Sequence, residues 1–170
     1  KLLANRLKNL LPELISPNQS AFVPGRLITD NFLVAFETYH AIKRKRTGKF
    51  GICAVKLDMH KAYDRVEWVF LKRIMLQMGF TADWVSLIWS VYGQSSIKFV
   101  LITLSQIYLF LLEASAKETH YHLTFFLLCV EGLSSLLIHE EEMGTLIGAR
   151  VCRDAPAVSH LLFADDSLIL

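Results

Sequence analysis

Three aspartates stand where apolar stretches of the chain end. Asp58 closes a run that begins near Phe50, and Asp165 and Asp166 follow the run Leu161-Leu162-Phe163-Ala164. Adjacent carboxylates resist joint ionisation, and such a pair persists most easily when a divalent cation neutralises it. Hard cations prefer anionic oxygen ligands. The pattern predicts a magnesium site at two strand ends, with a solvated hairpin turn, where Asp is common, as the alternative.

Carboxylates from two separate strands can hold two magnesium ions for nucleotidyl transfer. One ion lowers the pKa of an attacking hydroxyl, and the other stabilises a leaving pyrophosphate. Paired acids also serve hydrolysis, so a two-metal nuclease is a further interpretation of the same residues. Each of these reactions requires the fold to bring Asp58 close to the Asp165–Asp166 corner.

The elements that must position these acids follow from hydrophobic periodicity and from turn residues. Asp30 is expected to cap the second helix, and the acids Asp165 and Asp166 are expected at the tip of a hairpin. The first strand is expected to be buried. We predict helices over 2–14, from 29 into the basic turn 43–48, over 67–78, 82–92 and 126–142, and strands over 50–58, 97–101, 145–152 and in the hairpin 157–170. These elements predict an α+β fold.

Composition narrows the class of protein. The 170 residues are 53% hydrophobic and 20% charged, which argues against intrinsic disorder. The three cysteines form no CxxC pair, and no secretory signal or membrane-spanning run is expected, which favours an intracellular chain. Residues 1–100 carry 15 Lys and Arg against 7 Asp and Glu, whereas residues 101–170 carry 3 against 9. This asymmetry suits a protein that binds a polyanion on one surface and metal ions on another.

Several motifs resemble those of LINE-type (non-LTR retrotransposon) reverse transcriptases. The run Phe163-Ala164-Asp165-Asp166 resembles the catalytic box of that family, and residues 57–66 (LDMHKAYDRV) resemble its first catalytic-acid motif. Residues 3–7 and 19–26 are similar to its fingers segments, and residues 127–137 to its palm helix. The motifs occur in the family's order and cover most of the chain outside residues 102–125.

The resemblance implies a partial right-hand polymerase, with a fingers-like part at 1–50 and a palm-like part at 51–170 whose antiparallel sheet packs on helices. It implies RNA-directed DNA polymerase activity on an RNA template, a DNA primer and deoxynucleoside triphosphates, with two Mg²⁺ ions and no membrane. Oligomeric state and cellular location stay open. The residues that the resemblance implicates are Asp58 and Asp165 as metal ligands and catalytic acids, Asp166 as the second acid of the box, Met59 and Tyr63 at the nucleotide, and Arg26, Lys43, Arg44, Lys45 and Arg46 at nucleic acid.

One segment departs from the family pattern. Between a strand and the palm helix the family carries a loop written approximately GLRQGDPLSPYLF, but residues 113–126 contain no Gln, Gly or Pro. One permissible coding of residues 113–126, read from its third base, translates as GLRQGDPLSPYLF in full. We therefore interpret residues from about 102 to 126 as a frame-disrupted stretch, which predicts little or no polymerase activity. A non-catalytic nucleic-acid-binding remnant is the alternative function.

Overall fold

A computed structural model describes residues 2–45, 51–59, 66–92, 97–104, 107–114 and 119–170. Within these residues the chain forms five helices and five strands, so the α+β class is confirmed. In chain order they are α1 (Leu2–Leu14), α2 (Ile28–Arg44), β1 (Val55–Asp58), α3 (Trp68–Gln77), α4 (Ala82–Tyr92), β2 (Ile97–Leu104), β3 (Ile107–Ala114), α5 (Thr119–Glu142), β4 (His160–Phe163) and β5 (Asp166–Ile169).

The chain forms two compact units, neither of them continuous in sequence. The first comprises 1–15 and 59–133, and the second comprises 16–58 and 134–170. Helix α5 contributes to both. This division does not coincide with the fingers-like and palm-like parts at 1–50 and 51–170, which stay a prediction.

The first unit contains an aromatic cluster centred on Trp68. Its ring meets those of Trp89 and Phe125 edge-on, at centroid distances of 6.1 Å and 5.5 Å, and Tyr92 adds a further edge contact to Phe125 at 5.4 Å. Aromatic pairs prefer such edge-on geometry because the electron-rich face of one ring attracts the positive edge of the other. In the same unit, β2 and β3 pair antiparallel.

The second unit contains a three-stranded antiparallel sheet in the order β1-β5-β4. Leu161 on β4, Ala149 and Leu170 form a buried cluster. Val34 and Ile42 of α2 pack against this cluster, so α2 covers one part of the sheet. The strand β1 lies at one edge of this sheet, and three of its four residues are exposed.

Most predicted helices are confirmed within a residue or two, and three local expectations are wrong. Asp30 does not cap α2: the helix begins at Ile28 after Leu27, no side chain caps it, and Asp30 lies in its first turn. The first strand is only four residues long, and three of these residues are exposed. Residues 145–152 form no strand; Ala149 makes only an isolated bridge to Val158.

Regular structure extends into the stretch from about 102 to 126 that we interpret as frame-disrupted. Residues 97–104 and 107–114 form β2 and β3, and α5 begins at Thr119 rather than near Phe126. The 21-residue stretch His122–Glu142 of α5 has the length and apolar composition of a membrane span, but it is 61% buried within the protein, as a core helix is. The length and composition of this helix are therefore weak evidence for a membrane location.

Candidate active site

The sheet of the second unit brings two of the three aspartates together. In the antiparallel pairing of β1 with β5, Asp58 lies directly opposite Asp166. Side chains at directly opposed positions point to the same face, with Cβ atoms about 5 Å apart. Two carboxylates more than a hundred residues apart in the chain therefore stand side by side at one end of the sheet.

The third aspartate occupies the tip of the β4–β5 hairpin. Because Phe163 pairs with Asp166, only Ala164 and Asp165 form the connection. Ala164 has a φ of 62°, in the left-handed region that residues with a Cβ atom rarely adopt. It is also buried, with 3% of its surface exposed. The tight turn places Asp165 next to Asp166, at the end of the sheet where Asp58 lies.

A lysine neutralises part of this negative charge. The ammonium group of Lys56 lies 2.9 Å from a carboxylate oxygen of Asp166, and both side chains are about half exposed or more. The hydrogen bond and charge of Asp166 raise the pKa of Lys56, and the charges of Asp58 and Asp165 raise it further. All three carboxylates therefore act in the same direction on one ammonium group. From the sequence alone Lys56 is interpreted as a surface or core-edge lysine without a chemical role, although the two-residue strand period places it on the same face as Asp58.

The donor set suits magnesium, but it is not arranged as a closed metal cage. Asp58 is exposed and the side chain of Asp166 is about half exposed, and both offer carboxylate oxygen atoms, which are ligands that Mg²⁺ prefers. Among the described residues, no group of three or more His, Cys, Asp or Glu side chains is arranged to hold a metal ion. An open site is consistent with the chemistry of Mg²⁺, which usually keeps several waters and binds one or two carboxylates together with substrate phosphates.

The remaining predicted residues are placed as follows. The side chain of Met59 is buried, with 7% of its surface exposed. The guanidinium of Arg26 donates hydrogen bonds to the backbone carbonyls of Ser16 and Gln19, so it braces the loop that precedes α2. Its expected contact with nucleic acid stays a prediction. Tyr63 and Arg46 lie outside the described residues.

The basic end of α2 borders a cleft of about 1290 Å³ in the second unit. Arg44 and Lys45 contribute to its lining, and Arg150 and Arg153 contribute from the loop that precedes β4. All four side chains are exposed, as is Lys43 in the last turn of α2. The fold thus adds two arginines from a distant part of the chain to the basic patch that the sequence suggested.

Comparison with known proteins gives one family and two relatives. The family model described as reverse transcriptase (RNA-dependent DNA polymerase) matches residues 1–170. An uncharacterized 149 kDa protein of transposon TX1 from Xenopus laevis is 34% identical over 95 residues, which are 56% of this chain and 7% of that protein. An uncharacterized mitochondrial protein of Arabidopsis thaliana is 50% identical over 42 residues, 25% of this chain and 34% of that protein. The chain therefore aligns with only part of each relative's length.

Proposed function

The chain belongs to the reverse transcriptase (RNA-dependent DNA polymerase) family, and from that membership we propose that Asp58, Asp165 and Asp166 form its catalytic corner in a palm-like sheet. The observation that carries the proposal is the register that sets Asp58 opposite Asp166. Asp58 and Asp165 are the proposed metal ligands, and Asp166 the second acid of the box. Two magnesium ions bound there supply activation of the primer hydroxyl and stabilisation of the departing pyrophosphate. Met59 and Tyr63 stay the proposed nucleotide contacts.

The competing cation within the site is Lys56. Its ammonium group already forms an ion pair with Asp166. A divalent ion that binds Asp166 must therefore share this carboxylate with Lys56 or displace the lysine from it. In a pre-catalytic state without metal, this ion pair reduces the repulsion among three clustered carboxylates. Lys56 is thus a candidate for tuning the metal affinity of the corner rather than for contacting substrate.

Metal titration tests this arrangement without requiring turnover. We expect Mn²⁺, used as a spectroscopic substitute for Mg²⁺, to bind the purified chain, and Asp58→Asn or Asp165→Asn to weaken binding by about tenfold or more, because each removes an anionic ligand. Lys56→Met should strengthen binding severalfold because it removes a competing positive charge from Asp166. Electron paramagnetic resonance of free Mn²⁺ measures each affinity.

The matched control is Asp154→Asn, which removes an exposed carboxylate from the loop before β4. It should leave Mn²⁺ affinity unchanged. Equal affinities for the parent chain and the Asp58 and Asp165 variants would remove these residues from any metal site and overturn the proposal.

The chain itself is proposed to be a poor polymerase. Its segment 113–126 lacks the glycines, glutamine and arginine of the family's loop. By the resemblance, those residues let the backbone approach the template–nucleotide pair and supply hydrogen bonds to it. Intact carboxylates cannot compensate, because catalysis requires the reacting groups to be held in a productive geometry.

A second candidate function is binding of nucleic acid without catalysis, and the basic cleft favours it. Arg44 and Arg153 come from separate elements and line one cleft, so a phosphate backbone there can contact both. Each phosphate neutralised releases a condensed counterion, which makes such binding strongly dependent on salt.

Fluorescence anisotropy with single-stranded RNA separates this function from catalysis. We expect the double variant Arg44→Ala, Arg153→Ala to bind more weakly at every RNA sequence. The slope of log affinity against log salt should fall by about 0.7 for each phosphate of the single strand that the variant no longer neutralises. Arg73→Ala on α3, also an exposed arginine, is the control. An unchanged salt slope in the double variant would exclude the cleft as a nucleic-acid site.

A further inference from the structure

The segment that precedes α2 runs along the outer edge of β4. The amide of Leu162 donates to the carbonyl of Asn18 at 2.8 Å, and the amide of Ser20 donates to the carbonyl of Leu162 at 3.3 Å. Gln19 thereby forms a parallel bridge with Leu162. An open strand edge exposes unpaired backbone groups, and this segment satisfies those of Leu162 at the centre of β4.

Gln19 reaches from this segment to the tip of the aspartate hairpin. Its side-chain carbonyl oxygen accepts the amide of Ala164 at 3.1 Å and the amide of Ala21 at 2.9 Å. Gln19 is almost fully buried, with 1% of its surface exposed. A single acceptor therefore ties the loop before α2 to the turn whose next two residues are Asp165 and Asp166.

The orientation of this amide is set by its partners. Both groups that face it are backbone donors, so the oxygen must point toward them. The other end, Nε2, is buried and has no hydrogen-bond partner among the described residues. A buried donor without a partner costs free energy, whereas the side-chain oxygen accepts two backbone hydrogen bonds.

Two asparagines fix the strand from which the hairpin extends. The side-chain amide of Asn18 donates to the carbonyl of His160 at 2.8 Å. That of Asn31 donates to the carbonyls of Asn18 and Leu162 at 2.6 Å and 3.2 Å. The base of the hairpin is thus held at several points, and Gln19 adds a hydrogen bond at the turn itself.

We propose that Gln19 is a positioning residue for the aspartate corner. Its oxygen holds the Ala164 amide so that Ala164 keeps its positive φ, and this backbone conformation determines where the carboxylates of Asp165 and Asp166 point. Loss of the acceptor frees Ala164 to relax toward negative φ, which moves Asp165 in the turn away from Asp58, while Asp166 stays paired in the sheet. The proposal rests on the proposed metal-binding role of these acids.

The test compares Gln19→Leu, which removes the acceptor, with Gln19→Glu, which retains it. We expect Gln19→Leu to speed hydrogen exchange at the Ala164 amide by at least about tenfold and to weaken Mn²⁺ binding by about tenfold, the scale seen for residues that orient metal ligands. Gln19→Glu should restore both quantities to within about threefold of the parent chain, because its carboxyl oxygen accepts the same two amides.

Ser20→Ala is the matched control, because the hydroxyl of Ser20 is buried and has no hydrogen-bond partner among the described residues. It should change neither quantity. Slow Ala164 exchange in Gln19→Leu, or an equal acceleration at Leu162 and Ala164, overturns the proposal. If Gln19→Leu does not fold, fast Ala164 exchange in the folded Gln19→Glu variant overturns it. If the parent chain does not bind Mn²⁺, the proposed metal site fails, while the exchange rates still decide whether Gln19 holds the hairpin.

Discussion

Replacing Glu113–Phe125 with the sequence GLRQGDPLSPYLF is expected to convert the chain from little or no primer extension to Mg²⁺-dependent extension. The replacement keeps the length of the chain and returns the family's loop to its position before the palm-like helix. Displacing the reacting groups by about 1 Å can lower the reaction rate by about 100-fold. We therefore expect an increase of about 100-fold over the unmodified chain.

The measurement is extension of a DNA primer on an RNA template by purified protein in the presence of all four deoxynucleoside triphosphates. Asp165→Asn introduced into the loop-replaced chain is the control, and it should return extension to the level of the unmodified chain because it removes a proposed metal ligand. Extension by the unmodified chain at the rate of the loop-replaced chain would refute the inactivity that the disrupted segment predicts.

The coding DNA gives an independent check of the same interpretation. If the stretch from about residue 102 to residue 126 arose by a change of frame, its codons must permit the family loop in the shifted reading. Codons incompatible with that reading would refute the frame change. If the frame change occurred, β2, β3 and the early start of α5 at Thr119 show how a sequence that was not selected for this position folds there.

Periodicity in the sequence was sufficient where local and tertiary preferences agree. The helix over Leu2–Leu14 and the helix over Ala82–Tyr92 were predicted with their observed bounds. Each has a pair of apolar residues at helical spacing that is buried, Leu7 and Leu11 in the first and Val85 and Ile88 in the second. The β4–β5 hairpin was predicted for a similar reason, since two apolar runs flank a short polar turn. Elements whose local sequence preferences agree with their tertiary packing can be predicted from the sequence.

The supporting contacts of the site could not be predicted in the same way. Gln19 lies 145 residues from Ala164 in the chain, and no local pattern encodes a hydrogen bond between them. The exposure of β1 depends on its place at the edge of the sheet, whereas its apolar composition suggested a buried strand. No spacing in the sequence singles out His160, because one of the two serines at its ring, Ser134, is brought there by the fold, and the other is its neighbour Ser159.

His160 is expected to lower the free energy of unfolding in mild acid. It has no exposed surface, and its ring nitrogens lie 2.8 Å from the hydroxyl oxygen of Ser134 and 3.0 Å from that of Ser159. Burial lowers the pKa of His160 to about 4, although the charge of Glu141 acts in the opposite direction. The neutral imidazole can donate to one serine and accept from the other, which the charged form cannot do.

The direction of the pH dependence follows from proton uptake. An unfolded histidine has a pKa of about 6.5, so between this value and about 4 the unfolded state binds more protons than the folded state. The contribution of His160 to stability is therefore complete above the unfolded pKa and is lost as the pH falls toward the folded pKa. For a shift of this size, we expect a loss of about 2 kcal/mol between pH 7 and pH 4.5.

Urea unfolding across this pH range measures the effect, and two variants isolate it from the titration of carboxylates. His160→Gln should lower stability at neutral pH but flatten the acid-side loss by about 2 kcal/mol, since no buried imidazole remains to be protonated. His139→Gln, which replaces an exposed histidine on α5, should leave the pH dependence of the parent chain intact. Parallel stability curves for the parent and His160→Gln would mean that His160 is solvated enough to protonate in the folded state. The hydrogen bonds to Ser134 and Ser159 would then not hold the ring in its neutral form. The base of the aspartate hairpin would instead accommodate a charged imidazole.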